Sequence, residues 1–245
     1  MARYKLLIEY DGRGFVGWQR QENGFGVQQA IEEAIEKFCG EKTIVFGAGR
    51  TDSGVHALGQ VAHINLSKET KADTVRDALN FHLKAVPVVV LEATEVKDGF
   101  DARLSARDRA YEYRITNRRA PLTVGQGLSW WVPVPLDAEA MDAAAKVLIG
   151  KHDFTTFRAA YCQALSPVKT LDMLRVSRDG ETIKVETRAR SYMHHQVRNI
   201  VGTLKLVGEG KWTAADVKAA LDKKDRAAAG PTAPAAGLYF VEVLY

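Results

Sequence analysis

The chain has 245 residues, 46% hydrophobic and 26% charged, near globular averages, which excludes a disordered or fibrous protein and allows one large domain or two of about 120 residues. Its longest apolar runs, such as Ala85–Leu91, fall far short of a membrane span, and the brief apolar stretch at the N-terminus is no signal peptide, so the cytoplasm is the expected compartment. A net charge of +4 is too small to demand a polyanionic partner by itself, and the two cysteines, Cys39 and Cys162, show neither C-x-x-C nor metal spacing.

A strand over 4–10 opens the chain, followed by a helix over 26–39 in which Val27, Ile31, Ile35 and Phe38 recur at helical spacing. Strands follow at about 43–48 and 59–66, then a helix from Asp73 with Val75, Leu79 and His82 or Leu83 inward, and a strand over 86–96. Strand, helix, strand, strand, helix, strand is the split β-α-β order of a ferredoxin-like sandwich. This first domain is expected to span 1–105 and a decorated second version 106–245. The second has strands at 109–116 and 128–132, a helix over 137–148, strands at 169–178 and 182–190, a long helix over 192–207, a short helix after Thr213 and a last strand over 238–244. Arg226–Gly237 reads as a Pro- and Gly-rich loop. The expected fold class is therefore α+β, two ferredoxin-like (RRM-like) α/β sandwich domains with mostly antiparallel sheets.

The most informative segment is Gly47–Ala57, which presents the carboxylate of Asp52 in a loop bracketed by glycines and set between buried strand patterns. Arg50 is close enough in sequence to keep Asp52 ionised below its reference value of about 3.9. A surface turn with a local ion pair is the competing reading. Asp52-Ser53-Gly54 also matches the aspartic-protease tripeptide. That chemistry needs two carboxylates sharing a proton; this chain holds no second copy, although a homodimer could supply one, and Arg50 would favour the doubly ionised, inactive form.

Gly12-Arg13-Gly14-Phe15-Val16-Gly17 satisfies G-x-G-x-x-G, but Trp18-Gln19-Arg20 follows where a dinucleotide site needs an apolar helix to open. Arg13, Phe15, Trp18, Gln19 and Arg20 suit a loop that reads or wedges into a partner. The pair His194-His195 invites a metal. On a regular helix from Tyr192, however, His195 lies opposite the apolar stripe and His194 on its margin, and no carboxylate or cysteine stands at ligand spacing. No metal is expected, and His56 and His63 do not change that.

Six arginines lie between Arg103 and Arg119 against Asp108 and Glu112, interleaved with Tyr111 and Tyr113. A second cluster, Lys184, Arg188, Arg190, Arg198 and Lys205, surrounds Tyr192 and the histidine pair. Cations mixed with rings suit nucleic acid, with a solvated face as the competing reading. Tyr111 and Tyr113 share one strand face, and core packing competes for one of them.

Gly49–Ala57 is similar to the active-site motif of the tRNA pseudouridine synthase A family, and further segments agree in order. These are Tyr10-Asp11-Gly12 with Phe15, Gly17-Trp18-Gln19 and Gln21; Arg109, Tyr111 and Tyr113; Phe154–Arg158; His194–Gly202; and Gly237-Leu238-Tyr239. The resemblance implies two ferredoxin-like domains around a basic central cleft, a homodimer, no cofactor, and conversion of uridines at positions 38 to 40 of the tRNA anticodon stem-loop to pseudouridine. It implies that Asp52 attacks C6 of the uracil or C1′ of the ribose, or deprotonates C2′, with Arg50 aiming it and Arg198 as a second ionic partner. Tyr111 would stack on the extruded base and take the C5 proton. Leu238 would pack against that base, and Arg13, Trp18, Gln19, Arg20, His56 and Arg109 would complete the substrate-binding set. A non-catalytic RNA-binding protein with tandem RRM-like domains is the alternative, although no RNP pattern is present.

Overall fold

A computed structural model describes residues 1–245. In chain order its elements are β1 (Ala2–Tyr10), α1 (Val27–Cys39), β2 (Phe46–Gly47), β3 (His56–Leu66), α2 (Ala72–Leu83), β4 (Val88–Val96), β5 (Asp108–Asn117) and β6 (Trp130–Val132). There follow α3 (Ala138–Ala145), β7 (Gly150–Asp153), β8 (Val168–Leu171), β9 (Met173–Asp179), β10 (Thr182–Ala189), α4 (Gln196–Gly208), α5 (Ala214–Lys223) and β11 (Leu238–Leu244). The fold is mixed α/β with mostly antiparallel strand pairing, and no helix is long and apolar enough to cross a membrane. Contacts divide the chain into two compact units, Met1–Arg107 with Tyr239–Tyr245, and Asp108–Leu238. The sequence suggests a single cut after residue 105; in the structure the last strand returns to the first unit, because Tyr239 and Phe240 pair in parallel with His56 and Ala57.

In the first unit β1 runs antiparallel to both β3 and β4. The outer edge of β3 is shared, with β2 against His63 and Ala62 at one end and β11 at the other. Alternation along β1 buries Tyr4, Leu6, Ile8 and Tyr10. The apolar stripe of α1 buries Val27, Ala30, Ile31, Ala34 and Ile35, and α2 buries Val75, Leu79 and Leu83, so Leu83 rather than His82 faces inward. Each Val, Ile or Leu among them contributes about 1.5–3 kcal/mol by leaving water. Gly40, at φ 75°, ends α1 by donating its N–H to the Glu36 carbonyl. The strand expected over 43–48 shrinks to Phe46–Gly47, whereas β3 starts at His56, earlier than expected, since pairing with β1 continues to Ala57.

In the second unit β10 pairs with β5 and β9, β6 runs parallel to β5, and β7 with β8 forms a separate two-stranded sheet. The strand expected over 169–178 is broken at Asp172, whose amide turns aside to the Arg188 carbonyl. Asp137 caps α3 by accepting the Ala140 N–H, and Thr213 and Asp216 form a reciprocal capping box on α5. The expected helix over 192–207 opens only at Gln196. His195 takes a left-handed backbone, φ 62°, so His194 and His195 lie in a turn ahead of α4, their ring centroids 4.0 Å apart. The helical-face geometry that set the two rings apart therefore does not apply.

Candidate active site

Asp52 opens a turn closed by the Val55 amide donating to its carbonyl at 3.1 Å, with Gly54 at φ 77°. On its near side the turn is bridged antiparallel to Gly17, and the Trp18 N–H reaches the Thr51 carbonyl at 3.0 Å. The Ser53 hydroxyl donates to the Phe15 carbonyl at 3.0 Å. Thr51 turns its hydroxyl into the core, 2.7 Å from that of Tyr10. Asp52 is left half-buried on a backbone clamped from both sides.

The glycines of the G-x-G-x-x-G segment explain the clamp. A Cβ on Gly12 would lie 2.1 Å from the Val55 carbonyl oxygen, so this loop can approach the Asp52 turn only without side chains. Further backbone bonds from Val27 to Gly17 and from Gln28 to Trp18 tie the same loop to the start of α1.

Several expected site residues occupy places the sequence did not suggest. Arg50 is exposed and forms no ion pair with Asp52, because Thr51 alone of the three neighbours turns inward and the long Arg50 side chain runs into solvent. Trp18 does not face a partner. It is 2% exposed, packed beside Tyr10, and stands where a Cβ on Gly47 would meet its ring at 2.6 Å. Phe15 is buried as well. His56 is buried, accepts the Gly12 N–H at Nδ1 at 3.1 Å, lies 3.1 Å from Asp11 Oδ1, and stacks on Tyr239 with centroids 4.8 Å apart.

Arg13, Gln19 and Arg20 remain at the surface of that loop. Arg13 grips Asp11, Nε to Oδ2 2.8 Å, Gln19 donates to Gln28 at 2.6 Å, and Arg20 pairs with Glu32 at 3.0 Å. Desolvation pushes the Asp11 carboxyl up, but bonds from the Arg13 side chain and amide, with His56 nearby, outweigh it and hold Asp11 below its ordinary value.

The remaining expected residues gather in the second unit. Tyr113 is the core member of the tyrosine pair, fully buried, its hydroxyl donating to the Pro234 carbonyl at 2.7 Å and its ring filling the space over Gly237. Burial pushes its phenol up, against a smaller opposing pull from Arg198. Tyr111, 9% exposed, meets the Tyr192 ring edge-on at 5.0 Å. Arg109 is buried and donates to the Arg190 carbonyl. Arg198 donates from Nε to the Ala233 carbonyl at 2.8 Å, which ties α4 to the loop leading to Leu238, itself buried at the start of β11.

The basic runs do not form one uniform surface. Arg114 pairs with Glu112 at 2.6 Å, Arg118 with Glu181 at 3.1 Å and Arg188 with Asp108 at 3.2 Å. Arg50, Arg107, Arg119 and Arg190 keep exposed side chains without acidic partners.

Sequence reasoning placed Tyr192 only within a basic cluster and missed that it packs on Tyr111, where burial pushes its phenol well up; it passed over Gln60 altogether, buried in β3 and bonded to Gly49. A glutamine interrupting the apolar run of a strand is the signal that could have found the second.

A family model described as tRNA pseudouridine synthase matches residues 6–103 and 144–245. A tRNA pseudouridine synthase A of Rhodospirillum rubrum is 60% identical over all of this chain and 88% of its own length. Proteins of the same name from Paramagnetospirillum magneticum and Rhodospirillum centenum are 59% and 61% identical, again over this whole chain and over 96% and 100% of their own. Among solved structures, a Cbf5-Nop10-Gar1 complex overlaps at a TM-score of 0.34 and 11% identity, covering 82% of this chain and 44% of that one, too loose a likeness to inform the fold. Relatives named as synthases across the full length leave the non-catalytic RNA-binding reading without support. The chain belongs to the tRNA pseudouridine synthase family.

Proposed function

We propose that this protein isomerises uridine to pseudouridine in tRNA, at positions 38 to 40 of the anticodon stem-loop, and that Asp52 carries the chemistry. The observation that supports this most directly is the half-buried carboxylate of Asp52 on a turn whose backbone is pinned by Gly17, Phe15 and Tyr10, in a chain of this family. A preorganised group is what such a reaction rewards.

The isomerisation breaks the N1–C1′ bond, turns the base and joins C5 to C1′. There is no redox change and no donated group, so one anchored carboxylate suffices and no cofactor is required. Asp52 acts by attack at C6 or C1′, or by removing the C2′ proton. The target base leaves its stack first, at a cost of a few kcal/mol that ring stacking of roughly 1–3 kcal/mol and phosphate contacts offset. Tyr111 provides that ring and receives the C5 proton, Leu238 packs against the base, and Arg198 serves as an ionic partner of the carboxylate. Arg50, exposed and unpaired, is available to the extruded nucleotide's phosphate.

Two ferredoxin-like units complete the reading. The order β1-α1-β2-β3-α2-β4, with β4, β1, β3 and β2 side by side, supports it for the first unit. The protein works as a cytoplasmic homodimer. The test is pseudouridine formation in tRNA by wild type and by Asp52→Asn. Loss of product with retained tRNA binding is expected, and a normal rate in the variant overturns the assignment.

A further inference from the structure

Gln60 is 0% exposed in β3, and its amide oxygen meets no hydrogen-bond donor. Its amide nitrogen donates to the Gly49 carbonyl at 2.8 Å, at the entry to the Arg50–Asp52 segment. The neighbouring Tyr10 hydroxyl holds Thr51 Oγ1 at 2.7 Å. Burial raises the Tyr10 phenol, against smaller opposing influences of Thr51 and Gln60, so it stays protonated through neutral pH. Two β-strand side chains thus grip the loop from below, one at residue 49 and one at residue 51.

A buried amide with an orphaned oxygen is a poor choice for stability. A leucine of similar volume would fill the same space without an unsatisfied acceptor, and the Gly49 carbonyl, only half-buried, could turn to water. What a leucine could not supply is the fixed bond to Gly49. A local rule broken under a loop that carries a reactive group points to function rather than to folding.

We propose that Gln60 is a positioning residue for Asp52, fixing through the Gly49 carbonyl, with Tyr10 acting through Thr51, the path of the backbone that presents the carboxylate. The inference rests on the assignment of the chemistry to Asp52. Misplacing a reacting group by about 1 Å can cost on the order of 100-fold in rate, so a slack loop is expected to be expensive for turnover and cheap for stability.

The experiment compares wild type, Gln60→Leu and Tyr10→Phe in single-turnover pseudouridine formation, tRNA affinity, thermal unfolding and amide exchange across 49–55. For Gln60→Leu the rate constant is expected to fall about 10- to 100-fold. The tRNA Kd should stay within about twofold, the unfolding temperature should be unchanged or higher, and exchange at Arg50–Asp52 should be faster. Tyr10→Phe should show the same pattern more weakly. An unchanged rate constant overturns the proposal. So does a fall that merely tracks a lowered unfolding temperature, which would make Gln60 an ordinary core residue. Should Gln60→Leu not fold, Tyr10→Phe decides alone by the same criteria. Faster exchange in a protein whose wild type forms no pseudouridine would refute the Asp52 reading while leaving the support beneath the loop intact.

Discussion

A Cβ placed on Gly17 would lie 2.5 Å from the carbonyl oxygen of Thr51, the residue before the candidate catalytic aspartate. The Asp52 turn therefore depends on a missing side chain in another segment. Gly17 also holds φ 113°, a conformation that side chains resist. Gly17→Ala is expected to destabilise the protein by about 1–3 kcal/mol and to cut turnover beyond what the lost folded fraction explains. Urea unfolding alongside pseudouridine assays checks both; full activity per folded molecule would show that the clamp does not position Asp52.

Tyr111→Phe keeps the ring that packs against Tyr192 and removes only the hydroxyl. Stability and tRNA affinity should remain close to wild type while turnover drops on the order of 100-fold or more, the usual worth of a proton-transfer group. Single-turnover rates with gel-shift affinities distinguish this from a stacking role, under which turnover would survive.

His63, buried in β3, accepts the Ala102 N–H at Nδ1 at 3.0 Å and stacks on Phe46 at 4.9 Å. Desolvation holds its value below the usual 6.5, opposed by Asp101 and assisted by Arg3. The neutral ring is thus favoured in the folded state. Its contribution to stability is complete above 6.5 and is lost as pH falls below that value toward the lower folded one, because the unfolded chain binds the proton first. Unfolding temperatures between pH 7 and about 5 should fall in wild type. They should fall less in His63→Leu, from a lower starting point because the Ala102 amide loses its acceptor.

If tRNA phosphates are held by arginines, the exposed, unpaired arginines 50, 107, 119 and 190 are the ones expected to take them, since Arg114, Arg118 and Arg188 are already engaged by acids. Affinity for tRNA should fall about tenfold or more between ~50 and ~200 mM salt, and replacing two of the unpaired arginines should flatten that dependence. Equal affinity at both salt concentrations would remove phosphate contacts from the binding account.

Local chemistry made much of this protein legible from its residues alone. The stripe of Val27, Ile31 and Ile35 specifies α1, the inward set Val75, Leu79 and Leu83 specifies α2, and the glycines around Asp52 announce a turn. These signals are short-range: periodicity and permitted φ angles act within a few residues, so one sequence carries them. Tertiary structure alone decided that Trp18 is core and not a partner-facing ring, that Arg50 runs into solvent and forms no ion pair with Asp52, that His194 and His195 precede α4, and that β11 closes the first unit. Each depends on packing between segments far apart in the chain. An aromatic in a loop is buried only if another element supplies a cavity, here the bare surface of Gly47, and a strand at the C-terminus joins whichever edge is open, here that of β3 beside His56.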